Sequence, residues 1–305
     1  MKTLDIVAIG EAMVEFNQQS DGRFAMSCGG DTSNCVIAAA RMGAKTGYVS
    51  RLGADQFGTF LREQWARDGV DSAHVINDIA AFTGLYFVTH EAGAHEFTYR
   101  RAGSAASLMT TGHLPLAYIA NAKILHVSGI SQAISKCASE AVLTAIHNAK
   151  ANGTMVSYDT NLRLKLWNLD HARQTIHASM ALADIARPSL DDARLLTGLE
   201  EPDAIADYYL ALGAGLVALT LGAKGAMIAS ASKREIISPL KVNSVDATGA
   251  GDAFGGAFLA GLARGMDPFA AARQANIAAA ISTTRYGAVS SFPYFAEVEK
   301  HKIDA

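Results

Sequence analysis

Short apolar runs separated by longer mixed segments recur along most of the chain. The runs are rich in Val, Ile and Leu, which is typical of strands buried inside a sheet. Predicted strands cover residues 4–10, 45–52, 123–130, 155–159, 216–221, 227–230 and 234–240. Predicted helices cover residues 35–42, 138–151 and 268–281. This alternation predicts an α/β fold with a doubly wound, mostly parallel sheet and helices on both faces.

Two segments depart from this rhythm. Residues 11–17 alternate between apolar and polar side chains, so Val14 and Glu15 should face opposite ways. Residues 82–101 contain two strand-like runs around a Gly-containing turn at 91–94, which predicts a hairpin. Together these segments predict a small sheet outside the main one.

Two further expectations concern the ends of elements. Residues 70–75 are apolar at both ends and predict another short strand. The helix over residues 35–42 follows two glycines and a run of residues that favour helix starts, so Asp31, Thr32 or Ser33 is predicted to cap it.

Composition limits the classes of function. The chain has 305 residues, of which 50% are hydrophobic and 18% are charged, enough for a sizeable core. The net charge of −3 provides no electrostatic footprint for nucleic acid. Three cysteines without metal-like spacing indicate a reducing compartment. We see no signal peptide and no apolar run of membrane-spanning length, so we expect a cytoplasmic protein without a membrane partner.

The strongest chemical signal is the run Val245-Asp246-Ala247-Thr248-Gly249-Ala250-Gly251-Asp252-Ala253-Phe254. It follows an extended segment and opens a helix of small residues. Glycines at a helix start leave backbone N–H groups free, and these groups together with the helix dipole bind anions such as phosphate. A carboxylate among such donors repels phosphate, so a functional Asp252 should act on a hydroxyl. The combination predicts phosphoryl transfer with Asp252 as the base. The alternative is structural, because Asp suits the first turn of any helix.

This run resembles the second signature of the ribokinase-like (PfkB) carbohydrate kinases, whose core is D-T-x-G-A-G-D, with Ala247 where Thr is usual. The segment from Gly29 to Asn34 resembles the G-G-x-x-x-N run of the same family. The resemblance implies a ribokinase-like fold in one domain over residues 1–305, with a β lid formed from about 11–27 and 82–101. It also implies ATP and Mg2+ as cofactors.

The resemblance assigns roles to residues at the catalytic and sugar sites. It implies that Asp252 is the catalytic base and that the turn before it is the anion hole. The residues it assigns to catalysis are Asp252, Gly249, Ala250 and Gly251, and those it assigns to the sugar include Gly30 and Asn34.

The resemblance also assigns a nucleotide site and metal sites. The nucleotide residues are Ser189, Thr220, Gly222, Gly225, Gly249, Gly251 and Asn276. Asp192 stands where the family has a Glu that acts on Mg2+ through water, and Asp246 with Thr248 is assigned to a monovalent cation. Structural alternatives remain open, because Ser189 and Asp192 have the spacing of a capping box and Asn276 could be a hydrogen-bonded core amide.

Three short segments, residues 83–86, 99–107 and 159–167, bear on which sugar is the substrate. They resemble the 2-keto-3-deoxygluconate kinases of this family, and the resemblance assigns substrate binding to Tyr86, Tyr99, Arg101 and Arg163. A sugar acid carries a carboxylate, and arginine recognises a carboxylate with two parallel hydrogen bonds. The alternative for Arg101 is an ordinary surface charge on a hairpin.

Three functions therefore compete. The first is a kinase that phosphorylates a primary hydroxyl of a sugar acid, giving 2-keto-3-deoxy-6-phosphogluconate from 2-keto-3-deoxygluconate. The second is a ribokinase- or fructokinase-type kinase of a neutral sugar or nucleoside. The third is a regulator that binds sugar or nucleotide without catalysis. A homodimer formed through the lid is also expected from the resemblance.

Overall fold

The structure is a computed structural model that describes residues 2–19, 21–91 and 94–302. Its strands are β1 (Leu4–Ile9), β2 (Met13–Gln18), β3 (Phe24–Gly29), β4 (Thr46–Gly53), β5 (Val75–Asp78), β6 (Leu85–Glu91), β7 (Ala94–Arg100), β8 (Ala122–Ser128), β9 (Met155–Asp159), β10 (Ile185–Arg187), β11 (Leu216–Thr220), β12 (Ala226–Ala229) and β13 (Arg234–Ile237). Its helices are α1 (Asp31–Arg41), α2 (Gln56–Asp68), α3 (Leu116–Ala120), α4 (Gly129–Ala133), α5 (Lys136–Ala151), α6 (Leu169–Met180), α7 (Leu190–Thr197), α8 (Pro202–Leu212), α9 (Ala250–Ala263), α10 (Pro268–Ser282) and α11 (Phe295–Lys302).

The main sheet has nine strands in the order β13-β12-β11-β10-β9-β8-β1-β4-β5. The pairs from β5 to β11 are parallel, whereas β12 and β13 form an antiparallel edge. The prediction of a doubly wound, mostly parallel sheet is therefore confirmed. Because the strands run the same way, the carboxyl ends of β1, β8, β9, β10 and β11 meet at one edge.

Alternating side chains on β1 divide the interior into two cores. Ile6 and Ala8 pack into a core with α1, α9 and α10. Val7 and Ile9 pack into a second core with α5, α6 and α8. An apolar strand with β-branched residues on both faces is what a sheet covered by helices on both sides requires.

A separate sheet of four strands has the order β3-β2-β6-β7. On β2, Val14 belongs to the first core with Phe16 packed against it, while Met13 and Glu15 face a cavity on the other side. The predicted alternation is therefore observed.

Two residues of the predicted hairpin turn, 92 and 93, lie outside the described residues, as do residues 1, 20 and 303–305.

The strand predicted at residues 70–75 is wrong, because β5 begins only at Val75. Asp71 makes a single bridge to Gly47, and its carboxylate then accepts a hydrogen bond from the N–H of Ala73 at 2.9 Å. This local turn interrupts the pairing with β4 until Val75. The sequence patterns also did not predict β3, β10, α6 and α8.

The predicted cap of α1 is wrong as well. Gly30 is the N-cap residue, with φ of 107°, and α1 begins at Asp31 without a described side-chain cap. Each of the three polar residues after Gly30 has a distant partner instead. Asp31 accepts from Asn161, Thr32 hydrogen-bonds the hydroxyl of Tyr48, and Ser33 accepts from the indole of Trp65.

Two findings bear on the environment of the protein. Among the described helices, none combines the length and apolar character needed to cross a membrane. Cys28, Cys35 and Cys137 are all free thiols.

Candidate active site

A polar cavity of about 450 Å3 lies where the carboxyl ends of the parallel strands meet the small sheet. Strand ends supply Asp159, Arg187 and Thr220, and the small sheet supplies Tyr86 and Tyr99. The carboxyl edge of an open parallel sheet is the usual place for a ligand.

The start of α9 forms one wall of this cavity. Gly249 is the N-cap residue, with φ of 76° and no described side-chain cap. The N–H of Ala250 donates to the carbonyl of Ala247 at 3.1 Å, whereas the N–H groups of Gly251 and Asp252 have no backbone partner among the described residues and are available to a ligand. A Cβ at Gly249 would lie 2.8 Å from the Cβ of Ala288, whereas a Cβ at Gly251 would meet no atom within 4 Å. Packing therefore explains the glycine at 249, and the open space beside Gly251 leaves room for an anion to approach the backbone.

Asp252 lies in the first turn of α9 and faces the same cavity. Its Oδ2 accepts a hydrogen bond of 2.9 Å from the side-chain amide of Asn34. Burial, and next the nearby carboxylate of Asp31, raise the pKa of Asp252 to about 8, and the Asn34 hydrogen bond opposes this shift. A carboxylate with a pKa near the working pH is suited to accept a proton from a hydroxyl.

Gly30 and Asn34 place α1 against the cavity. A Cβ at Gly30 would lie 2.3 Å from the carbonyl oxygen of Glu11, so only glycine allows this close approach and the positive φ. Asn34 is 5% exposed, and its Oδ1 has no hydrogen-bond partner among the described residues. This acceptor is therefore available to a hydroxyl donor in the cavity.

The small sheet covers the cavity with aromatic side chains. Tyr86 and Tyr99 pair across β6 and β7, with ring centroids 5.6 Å apart. The hydroxyl of Tyr86 donates a 2.5 Å hydrogen bond to Glu15, which is 2% exposed. Glu15 is a cavity residue that sequence reasoning missed, although its position opposite Val14 indicated that it faces away from the core.

Arg101 is bound to a second carboxylate that sequence reasoning missed. Its Nε donates to Oε2 of Glu11 at 2.9 Å, and its Nη2 contacts the same oxygen. Glu11 follows β1 and is 1% exposed, so the pair is buried. The charge of Arg101 is therefore largely neutralised within the protein.

Arg163, unlike Arg101, is a cavity arginine without a carboxylate partner among the described residues. It lies in the loop after β9 and lines the cavity, and its Nη1 donates to the carbonyl of Leu162 at 2.8 Å. It makes no ion pair with a carboxylate of the described residues. Asp192 supports this loop, because its Oδ2 accepts from the hydroxyl of Thr160 at 2.9 Å and from the N–H of Leu162 at 3.0 Å.

A second cavity of about 460 Å3 adjoins the first and is lined mainly by apolar atoms. The two cavities share Thr220, Ala247 and Gly251, so the start of α9 lies between them. The Nδ2 atom of Asn276 donates to the carbonyls of Ile237 at 2.8 Å and Ser238 at 3.2 Å. An apolar compartment beside an anion-binding turn fits a nucleoside triphosphate, with the base in the apolar part.

Asp246 shapes the turn before α9. Its Oδ1 accepts from the N–H and hydroxyl of Thr248, at 2.9 and 2.7 Å, and its Oδ2 accepts from the N–H of Gly287 at 2.8 Å. Within the part of the chain that the structure describes, no three His, Cys, Asp or Glu side chains are grouped to hold a metal ion directly.

Nearly all the residues predicted for the site line one of the two cavities. Those at the polar cavity are Gly30, Asn34, Tyr86, Tyr99, Arg101, Arg163, Ser189, Asp192, Thr220, Thr248, Gly249, Gly251 and Asp252. Those at the apolar cavity are Thr220, Gly222, Gly225, Ala250, Gly251 and Asn276. Asp246 lines neither cavity. Ser189 also caps α7, since its hydroxyl accepts from the N–H of Asp192.

The chain is similar to known proteins over nearly its whole length. Residues 3–294 match the pfkB family carbohydrate kinases. The chain is 33% identical to a 2-dehydro-3-deoxygluconokinase of Bacillus subtilis, over 95% of this chain and 93% of the relative. It is 34% identical to a probable fructokinase-4 of Arabidopsis thaliana, over 96% and 95%. Among solved structures, an E. coli protein provisionally named ribokinase II, in complex with ATP and Mg2+, superposes with a TM-score of 0.91 at 28% identity over 99% of this chain and 100% of the other.

Proposed function

Because this chain belongs to the pfkB family of carbohydrate kinases, we propose that it transfers a phosphoryl group from ATP to a primary hydroxyl of a sugar acid. The proposed substrate is 2-keto-3-deoxygluconate, and the product is 2-keto-3-deoxy-6-phosphogluconate. The observation that carries the proposal is Arg163, a cavity cation without an ion pair among the described residues. The relative from Bacillus subtilis supports the same substrate.

The mechanism begins with placement of the sugar. Asn34 offers its free Oδ1 to a sugar hydroxyl, while its Nδ2 holds the carboxylate of Asp252. Gly30 and the aromatic rings of Tyr86 and Tyr99 bound the same space. Arg163 binds the carboxylate of the sugar acid, which fixes the far end of the molecule and leaves its primary hydroxyl towards Asp252.

Phosphoryl transfer then depends on Asp252 and the start of α9. Asp252 accepts the proton of the primary hydroxyl, and the N–H groups of Gly249, Gly251 and Asp252 stabilise charge on the phosphoryl group. The N–H of Ala250, which was expected to act with them, instead donates to the carbonyl of Ala247 and closes the turn. ATP occupies the two adjoining cavities, with its adenosine near Asn276, Gly222 and Gly225 and its phosphates near Ser189 and Thr220. Asp192 would hold Mg2+ through water, and the bound ion would neutralise charge on the ATP phosphates. Asp246 and Thr248 are proposed to hold a monovalent cation.

The small sheet is proposed to act as a lid over the sugar, within a single kinase domain. A cover of this kind excludes water, which would otherwise accept the phosphoryl group. Phe24 and Met26 are 42% and 45% exposed on β3, and we propose that two copies of the chain pair through this sheet. The three free thiols support a cytoplasmic location.

A neutral-sugar kinase is the second candidate. Glu11 neutralises Arg101, and Glu15 adds a negatively charged acceptor. Such an acceptor attracts the hydroxyl groups of a sugar and repels the carboxylate of a sugar acid. The similarity to a fructokinase supports this alternative. The two candidate substrates differ in whether they provide a carboxylate for Arg163 to bind.

A substrate panel with an Arg163→Gln variant tests the choice. Purified protein is assayed for ADP release with 2-keto-3-deoxygluconate, fructose and ribose. A charged hydrogen-bonded contact contributes about 2 kcal/mol, so Arg163→Gln should lower kcat/KM for the sugar acid roughly 30-fold. Lys165→Gln is the matched control, since it removes the same charge from the same loop at an exposed position away from the cavity. Preference for fructose or ribose, or an equal loss on all substrates, would reject the sugar acid.

A further inference from the structure

Arg187 is a buried cation directly behind the start of α9. It ends β10 and is 4% exposed, yet it lines the polar cavity. Its Nη2 donates to the carbonyl of Gly251 at 3.2 Å and lies 3.2 Å from Oδ2 of Asp159. One guanidinium therefore joins the end of the main sheet to the turn that would bind phosphate.

Two features of this placement oppose the charge of Arg187, although burial of the group is outweighed by its acidic neighbours, Asp159 foremost, which raise its pKa. The amino end of a helix is the positive end of its dipole, so a cation there is repelled. The Nε of Arg187 is buried without a hydrogen-bond partner among the described residues, which adds a desolvation penalty. The chain nevertheless makes room for the group, since a Cβ at Gly255 would lie 1.9 Å from Nη2 of Arg187.

We propose that Arg187 is a positioning residue for phosphoryl transfer, which fixes the first turn of α9 through Gly251 and holds a permanent positive charge behind the anion hole. The inference rests on the roles proposed above for Asp252 and this turn, and it is independent of which sugar is used. Negative charge on the phosphoryl oxygens is stabilised best by fixed charges and dipoles in a site of low dielectric constant. The same charge favours the ionised form of Asp252, which is the form that accepts a proton.

Titratable groups face Arg187 from several elements, and their pKa values bear on the pH dependence of the reaction. Asp159 faces it from β9, and burial raises the pKa of Asp159 to about 6 although Arg187 opposes the shift. Asp252 faces it from α9, with a pKa raised to about 8, and the Asp31 carboxylate acts on both. His126 lies 3.5 Å from Nη1, and burial, with the Arg187 charge, holds its pKa well below the usual value. From α1, Cys35 lies 3.9 Å away and its pKa is raised to about 12 by burial.

The first experiment compares Arg187→Gln with the wild-type enzyme on whichever sugar the wild type phosphorylates. We expect kcat to fall 30- to 100-fold with the KM values for ATP and sugar changed less than threefold. The alkaline rise of the rate should also move to higher pH, because Asp252 loses a favourable charge. Arg187→Lys keeps the charge and should recover part of kcat. A wild-type kcat and pH profile in Arg187→Gln, or a raised KM with unchanged kcat, overturns the proposal.

Arg41→Gln is the matched control. Arg41 is also a buried arginine that pairs with an aspartate, Asp68, and donates to backbone carbonyls, those of Val289 and Phe292, but it does not line either cavity. Its loss should lower the thermal midpoint without moving the pH profile. If Arg41→Gln moves the profile as Arg187→Gln does, the effect is a general one of stability and the inference is wrong.

Gly255→Ala leaves Arg187 in the chain but should displace its guanidinium. The added methyl group must push the guanidinium away, which crowds the interior, while the higher helix propensity of alanine offsets part of that cost. The thermal midpoint is measured beside the kinetics to establish that the variant is folded. We expect the same loss of kcat and the same shift of the pH profile as in Arg187→Gln, and no further loss in the double variant. A Gly255→Ala enzyme with wild-type kinetics contradicts the inference even if Arg187→Gln fails to fold. An inactive wild-type protein instead contradicts the proposed function.

Discussion

Asp252→Asn should stabilise the free protein while it lowers turnover by orders of magnitude. Asparagine has nearly the same shape and keeps an oxygen that accepts the hydrogen bond from Asn34. It removes the carboxylate that burial and Asp31 make unfavourable when it is charged. The substitution therefore separates the requirements of folding from those of the reaction.

The expected effect depends on pH in a defined direction. The pKa of Asp252 in the folded protein is about 8, against 3.8 for the free side chain, so the folded state binds the extra proton. Protonated Asp252 therefore contributes its full share of the unfolding free energy below about pH 4. The wild-type protein loses that contribution, relative to the variant, as pH rises to about 8. A full shift of roughly four units at about 1.4 kcal/mol per unit is an upper limit. Because Asp252 remains open to the cavity, we expect Asp252→Asn to gain on the order of 2 kcal/mol at pH 8.

Urea unfolding of both proteins between pH 5 and pH 9 measures this difference. The gap in unfolding free energy should widen with pH and level off near pH 8, while turnover by Asp252→Asn falls roughly 100- to 10,000-fold. Asp203→Asn, on an exposed carboxylate of α8, is the control for the loss of one negative charge away from the cavities. A constant gap for Asp252→Asn would show that Asp252 is not a perturbed acid, and wild-type turnover would remove it as the base.

Two further substitutions test neighbouring contacts. Asp31→Asn removes a like charge beside Asp252 and retains an acceptor for Asn161, so the alkaline rise of kcat/KM should move to lower pH, and an unmoved profile in a pH–rate series would contradict this coupling. Gly251→Ala adds a methyl group that meets no protein atom within 4 Å, so it should leave the thermal midpoint unchanged or slightly raised. The same methyl group should lower kcat/KM for ATP at least tenfold, because it occupies the space beside the anion-binding turn; unchanged kinetics would place the phosphates elsewhere.

The fold was predictable because its main signals are local. The length and the hydrophobic pattern of a strand such as β1 are visible in consecutive residues. The alternation of strands with helices then restricts the topology. The turn before Asp252 was predictable for the same reason, since the glycines and the helix they open are adjacent in sequence. The strand order also brings together strand ends that the pattern alone had identified.

Contacts between distant residues account for the wrong helix cap and for the missed cavity carboxylate Glu11. Asp31, Thr32 and Ser33 have the side chains of helix caps, but each is used by a tertiary partner instead. Glu11 pairs with Arg101, 90 positions away, so no local pattern relates them. The strand predicted at residues 70–75 is wrong for a different, local reason, because the Asp71 side chain forms a turn with the N–H of Ala73.

The availability of each cavity arginine is decided by these distant contacts and not by its residue type. Arg101 and Arg187 each have an internal carboxylate partner, so binding an anion at either must compete with an existing ion pair. Arg163 has no such partner among the described residues, and its guanidinium is exposed to the cavity side of its loop. A carboxylate or phosphate added to this cavity should therefore gain most from Arg163. Sequence alone therefore does not tell which arginine can bind an anion, because the internal partners decide it. Among the described residues Arg101 and Arg187 have a carboxylate partner and Arg163 has none.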